Sequence, residues 1–171
     1  MPHGLSNDEQ ESLKRFPALA KEFCEFIEIC EDLERPRLIQ ELSVRLAGLC
    51  ETAARLPLLN PSTTEDDLTA ELISEHVDQW QRMSAGLREQ LGDMDAYWDV
   101  FDPTQREETV QSSLSIDIAD IYLDLKDALR LQTSGATIDD IYFDWRLDFR
   151  QHWSRHAASA LRVLLILSNR V

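Results

Sequence analysis

Two histidines four residues apart, His152 and His156, follow Asp148, and an earlier stretch carries Asp117, Asp120, Asp124 and Asp127. On a helix an i, i+4 spacing points both imidazoles the same way. The four aspartates recur at intervals of three and four, so they form one strip of a second helix, where like charges repel unless a partner or an ion lies opposite. Three chemistries are open to this set. Paired Asp and His side chains can satisfy each other and hold two helices in register. Asp117, Asp120, His152 and His156 can bind a divalent metal, with His76 as the first further ligand, since bundle metal sites are built from facing helices. A His–Asp pair can also act as general base in hydrolysis, although no serine-hydrolase elbow or other activated nucleophile is present. The working expectation is the first: a structural cluster, no cofactor, and Asp148 within reach of His152.

The elements that position these residues can be read from periodicity. Leu114, Ile118, Ile121, Tyr122, Leu125, Ala128 and Leu129 share the core face of a helix that starts at Ser113 or Ser115 and runs to about Leu131. Ser134–Gly135 makes a turn, and Thr137 with Asp140 caps a last helix running to about Ser168. Ile138, Trp145, Phe149, Ala160, Val163 and Leu167 form its apolar stripe, with His152 and His156 at the centre. A short turn makes the two helices antiparallel neighbours. Equal distances from the turn then set Asp117 level with His152, with Asp120 one turn away. Asp124 falls level with Trp145, a poorer partner for the histidines.

Upstream, Ser6-Asn-Asp-Glu is a helix start with acids in the first turn. The pattern runs to about Leu33, and Pro17 is expected to split it. Pro36 suits the first turn of the next helix, whose stripe is Leu38, Leu42, Leu46, Leu49, Ala53 and Leu56. Pro57 to Thr64 is a loop, and Thr64 with Asp67 a variant capping box. A third helix carries Leu72, His76, Trp80, Met83 and Leu87 on one face and stops at Leu91–Gly92. Asp93 to Ser112 has no clear period and reads as one long loop containing Tyr97, Trp98, Phe101 and the Asp102–Pro103 turn signal. Its aromatics are expected to plug the end of the bundle, or else Trp98, Trp145 and Trp153 wall a small-ligand pocket.

Bulk composition agrees with one all-α domain spanning residues 1–171, a bundle of five helices, or six if Pro17 breaks the first. Five Gly and six Pro in 171 residues are too few for a strand-and-turn-rich protein. A net charge of −15 argues against nucleic acid and against an anionic membrane surface. Cys24, Cys30 and Cys50 match no zinc spacing and cannot all pair, so buried thiols in a reducing compartment are expected. The first residues lack the apolar run of a signal peptide, and the longest apolar run, Val163 to Leu167, cannot span a bilayer, which points to the cytoplasm.

Three segments carry a family likeness. They are Tyr97-Trp-Asp-Val-Phe-Asp-Pro103, the run from Ser113 to Lys126, and the run from Trp145 to Ala157. Together they resemble the bacterial domain-of-unknown-function family 5063, most strongly between Trp80 and Leu164. The chain matches its motifs at Asp117, Asp120, Asp124, Trp145, His152, Trp153 and His156 and departs from them at Ile116 and Ser154. The resemblance implies a helical cytoplasmic protein and no particular activity. A non-enzymatic interaction or regulatory module follows as the leading expectation, meeting a basic protein partner or a second copy of itself. The alternative is a metal-dependent hydrolase using the Asp/His cluster.

Overall fold

The computed structural model describes residues 5–59, 70–100, 104–106, 108–134 and 137–170, with backbone alone at 70–74 and 131–134. The helices are α1 (Asn7–Ile29), α2 (Arg35–Ala53), α3 (Ala70–Leu91), α4 (Leu114–Ser134), α5 (Ile138–Asp148) and α6 (Ser154–Ser168). Between α3 and α4 lie a short 3-10 turn and a hairpin of β1 (Ala96–Asp99) and β2 (Val110–Ser113). The domain is therefore mostly α, as composition and periodicity predict. Helix α4 is central, packing on α1, α3, α5 and α6, while α2 closes the bundle against α1 and α6. No described helix is long and apolar enough to cross a membrane.

Local chemistry explains most boundaries. Ser6 and Glu9 form a reciprocal capping box on α1, and Thr137 and Asp140 form another on α5. Gly92 ends α3 at φ +56°, the left-handed conformation that glycine adopts without penalty. Arg35 seals that end, donating from Nε to the Gln90 carbonyl at 2.9 Å and pairing with Asp93 at 3.0 Å. The start of α4 is capped from a distance. Buried Asp95 accepts from the Ser115 amide at 2.7 Å and from the Ser113 hydroxyl at 2.7 Å, and its carbonyl accepts from the Leu114 amide at 2.9 Å. The serines expected to cap this helix are thus held by Asp95, which sequence reading did not single out.

Three expectations are corrected. Pro17 lies inside an unbroken α1. A proline at that position leaves the Leu13 carbonyl without its i+4 donor, and the Tyr142 hydroxyl donates to that carbonyl instead. The segment from Asp93 to Ser112 is not a featureless loop: Ala96, Tyr97, Trp98 and Asp99 pair antiparallel with Ser113, Ser112, Gln111 and Val110. Strands of four residues give too few alternations to register as a period. Phe101, Asp102, Pro103 and Gly135, the Thr64–Asp67 box, and the Leu72 side chain lie outside what is described.

The last helix is likewise not one uninterrupted α-helix: it carries a five-residue π turn over Phe149–Trp153. In an uninterrupted helix at 100° per residue, His152 and His156 fall within about 20° of Trp145, whereas Trp153 lies about 80° away. In the structure Trp145 and Trp153 both pack on Phe16, at centroid distances of 5.1 and 6.5 Å. The wider π turn absorbs roughly one extra residue, and the core stripe becomes Trp145, Trp153, Ala157, Ala160, Leu164 and Leu167. Both histidines move to the flank facing α4. The sixth helix thus arises at the π turn and not at Pro17. Both tryptophans are fully buried, yet their indole N–H groups find no partner among the described residues. Each unpaired donor costs about 1–3 kcal/mol, less than the roughly 4–6 kcal/mol from burying a ring of that area.

Candidate metal and polar site

The aspartate strip of α4 lies between α3 on one side and the π turn with α6 on the other. From α6, His156 sets Nδ1 2.8 Å from Asp117 Oδ1, and its Nε2 lies 3.8 Å from Asp120 Oδ2. From the π turn, His152 sets Nδ1 2.6 Å from Asp124 Oδ2. From α3, Trp80 donates its indole N–H to Asp120 Oδ1 at 2.7 Å, and His76 Nε2 lies 3.0 Å from Asp127 Oδ1. Tyr97 on β1 donates its hydroxyl to Asp117 Oδ2 at 2.5 Å, extending the chain to Tyr97–Asp117–His156.

The pairing is one turn displaced from the expected one. Asp117 meets His156, not His152, and Asp124, expected to be the poorer partner, takes His152. Two local effects act together. A π turn rises less per residue than α-helix, which draws His152 toward the interhelical turn. Side chains also lean toward the N-terminus of their own helix, so across an antiparallel pair Asp124 leans away from that turn and His152 toward it. Asp148 does not take His152, whose Nδ1 is committed to Asp124.

Asp120, His152 and His156 each offer one ligand atom within 4.8 Å of the others. With Nδ1 of both rings occupied by carboxylates, Nε2 remains as the second ring nitrogen, the arrangement in which an outer carboxylate fixes tautomer and orientation. Trp80 does the same for Asp120, holding one oxygen and leaving the other toward His156. His76 lies at the Asp127 end of the strip and is not part of the trio.

The strip is crowded with negative charge. Burial raises the carboxyl groups of Asp124, Asp127 and Asp144, and Asp148 is pushed up to about 7 by burial and by neighbouring Asp124 and Asp144. Among the described residues Asp148 makes no ion pair. His156 is shifted upward, chiefly by its hydrogen bond to Asp117 and against the opposing effect of burial.

Beyond Asp117 a cleft of about 160 Å³ opens between the hairpin and α6, bordered by Tyr97, Asp99, Asp117, Arg155, His156 and Ser159 among others. The aromatic-walled pocket is overturned. Trp98 is 67% exposed on the hairpin, whereas Trp145 and Trp153 are sealed in the core against Phe16, so the three share no cavity. Of the hairpin aromatics, Tyr97 is buried and does plug this end of the bundle. The three cysteines are unpaired, and burial pushes Cys24 up to about 12 and Cys30 and Cys50 up to about 11, which favours the thiol over the thiolate. On α1, Glu28 accepts from the Tyr122 hydroxyl at 2.7 Å and pairs with Lys126 at 2.6 Å.

The structure is similar to the crystal structure of protein BF1032 from Bacteroides fragilis, with a TM-score of 0.71 and 23% identity, covering 92% of this chain and 95% of that one. That likeness establishes a shared fold. Comparison with curated proteins gave no match. The model of the family described as domain of unknown function (DUF5063) matches residues 7–169, which takes in every residue of the site. The chain belongs to the DUF5063 family.

Proposed function

We propose that the protein binds one divalent transition-metal ion through Asp120, His152 and His156 and acts as a metal-dependent hydrolase. One observation carries the reading: both histidines engage carboxylates through Nδ1, at 2.6 and 2.8 Å, so that Nε2 of each ring remains to meet an ion beside Asp120. Two imidazoles and one carboxylate are a ligand set for Zn²⁺ that keeps a fourth position for water. A water in that position would ionise near pH 7, the chemistry a bound ion would supply in place of a serine or cysteine nucleophile. Tetrahedral coordination needs ligand atoms roughly 3.3 Å apart, given bonds of about 2.0–2.1 Å, and side-chain rotation can draw the trio together from 4.8 Å.

The test is metal content of protein purified without chelator, followed by calorimetric titration of the stripped protein with Zn²⁺. One ion per chain is expected. His152→Ala and His156→Ala should abolish tight binding, and Trp80→Phe should weaken it by about 10–100-fold, as loss of an outer partner does. No stoichiometric ion and no saturable Zn²⁺ binding would end the reading.

A second reading keeps the protein non-enzymatic. It is supported by the Asp117–His156 and Asp124–His152 contacts being complete hydrogen bonds as they stand, sufficient to hold α4 in register with α6 and the π turn before it. The net charge of −15 would then select a basic partner surface. Exposed apolar side chains such as Val44, Val77, Trp98 and Ile138 come from different elements, so the favoured contact in this reading is electrostatic. Failure of the metal titration, together with a basic partner whose binding weakens steeply with salt, would support it.

A further inference from the structure

Strand β1 has no task in the readings above, yet it is tied to both α4 and α6. Its side chains alternate as a strand requires, with Asp95 and Tyr97 buried and Ala96 and Trp98 exposed. Just before the strand, Asp95 binds Ser113, Leu114 and Ser115 at the start of α4. At its far end, Asp99 receives Arg162 of α6 at 2.7 Å. Tyr97 lies between these two anchors and gives its hydroxyl hydrogen to Asp117 Oδ2 at 2.5 Å. Asp117 stands in the first turn of α4. One short segment therefore holds both the backbone of that turn and its carboxylate.

A carboxylate accepts hydrogen bonds and has no hydrogen to give. With Oδ2 of Asp117 taken by Tyr97, Oδ1 meets His156 Nδ1 at 2.8 Å. In the neutral ring that bond places the hydrogen on Nδ1 and leaves Nε2 bare, 3.8 Å from Asp120 Oδ2. A lone pair set beside a carboxylate oxygen is an arrangement that a cation completes. Among the described residues the Tyr97 hydroxyl is the one hydrogen-bond partner of Oδ2. Without it a buried acceptor is stranded, and the carboxylate is free to turn from Nδ1. The ring hydrogen could then sit on Nε2 and close the position an ion would take.

We propose that Tyr97 is a positioning residue for the metal trio: its hydroxyl fixes Asp117, and Asp117 fixes the tautomer of His156, so the hairpin determines which ring nitrogen α6 offers. The inference rests on the metal reading for its purpose, but the tautomer itself is measurable without metal.

The experiment uses the full chain stripped of metal, as wild type and as Tyr97→Phe. Long-range ¹⁵N spectra of the imidazoles report the tautomer, at a pH where the same shifts show a neutral His156 ring. The wild type should hold His156 in the single Nδ1–H form, and Tyr97→Phe should mix the two forms. His152, held by Asp124, is the internal control and should not change. Calorimetric titration with Zn²⁺ should show Tyr97→Phe binding at least tenfold more weakly, as loss of an outer partner does. Arg162→Gln, which frees the far end of the strand but keeps the hydroxyl, should leave the tautomer single. A mixed or Nε2–H tautomer in the wild type overturns the role whether or not the variant folds. A lower melting temperature of Tyr97→Phe with an unchanged tautomer marks a purely structural hydroxyl and also overturns it. So does Zn²⁺ affinity within about threefold of a wild type that binds the ion, and each of these results leaves the metal reading intact. If the wild type binds no Zn²⁺ but Tyr97→Phe mixes the tautomers, the metal reading falls and the positioning of His156 stands.

Discussion

Asp148 combines burial with the charge of Asp124 and Asp144, and its carboxyl titrates at about 7 in the fold against about 3.9 in an unfolded chain. Between those values the native state holds a proton that the unfolded state has released, so stability falls as pH rises from about 4 through 7 and then levels. Asp148→Asn removes the charge that causes the loss. The variant should gain stability at pH 8, on the order of 2 kcal/mol after solvent screening, and little at pH 4. Urea denaturation at the two pH values checks this, and an equal effect at both would refute the electrostatic account. His76 and His152 were both recognised from sequence as residues of interest. What could not be read was their assignment to Asp127 and Asp124, because a partner on another helix leaves no trace in local spacing.

At the level of elements, Pro17 and the π turn share a lesson. A proline inside a helix frees one carbonyl, and α1 stays whole because α5 supplies the missing donor from Tyr142. A double-mutant cycle tests this. Tyr142→Phe should cost about 1–2 kcal/mol in the Pro17 background, where it strands a carbonyl, and clearly less with Pro17→Ala, where the backbone amide returns. Additive effects would show that the hydroxyl has another purpose. The π turn makes a sharper prediction. Because it accommodates one residue beyond α-helical phase, deleting exposed Gln151 should leave Trp153, Ala157, Ala160 and Leu164 on the core face and shift the melting temperature by only a few degrees. Deleting exposed Ala158, in regular helix, rotates Ala160 and Leu164 by about 100° out of the core and should abolish cooperative unfolding. Thermal circular dichroism on both variants distinguishes them.

Taken as a whole, the molecule is an acidic bundle whose α4 aspartate strip meets side chains of α3, the π turn and α6. His156 is raised by Asp117 and Asp148 by its surroundings, and both shifts act in the same direction. The raised histidine contributes stability that is present below about pH 6.5 and lost as pH rises through its folded value. The metal-free protein should therefore melt at a lower temperature at pH 8 than at pH 6. Metal requires the ligands deprotonated, so Zn²⁺ should narrow the gap. At a free concentration 100 times its dissociation constant it should raise the pH 8 melting point by roughly 5–10 °C. A Zn²⁺ shift no larger at pH 8 than at pH 6 would speak against histidine ligation.

The helical class, the caps at Ser6 and Thr137, the stop at Gly92 and the aspartate strip were legible in the chain alone, because each depends on groups within about one helical turn. The hairpin, the cap supplied by Asp95, the rescue of Leu13 by Tyr142 and the pairing of each histidine were decided only by tertiary structure. The physical reason is clearest at Trp145 and Trp153. Both rings must reach Phe16, eight residues of regular helix cannot bring them there, and the π turn that reconciles them turns His152 and His156 out of the core toward the aspartates of α4.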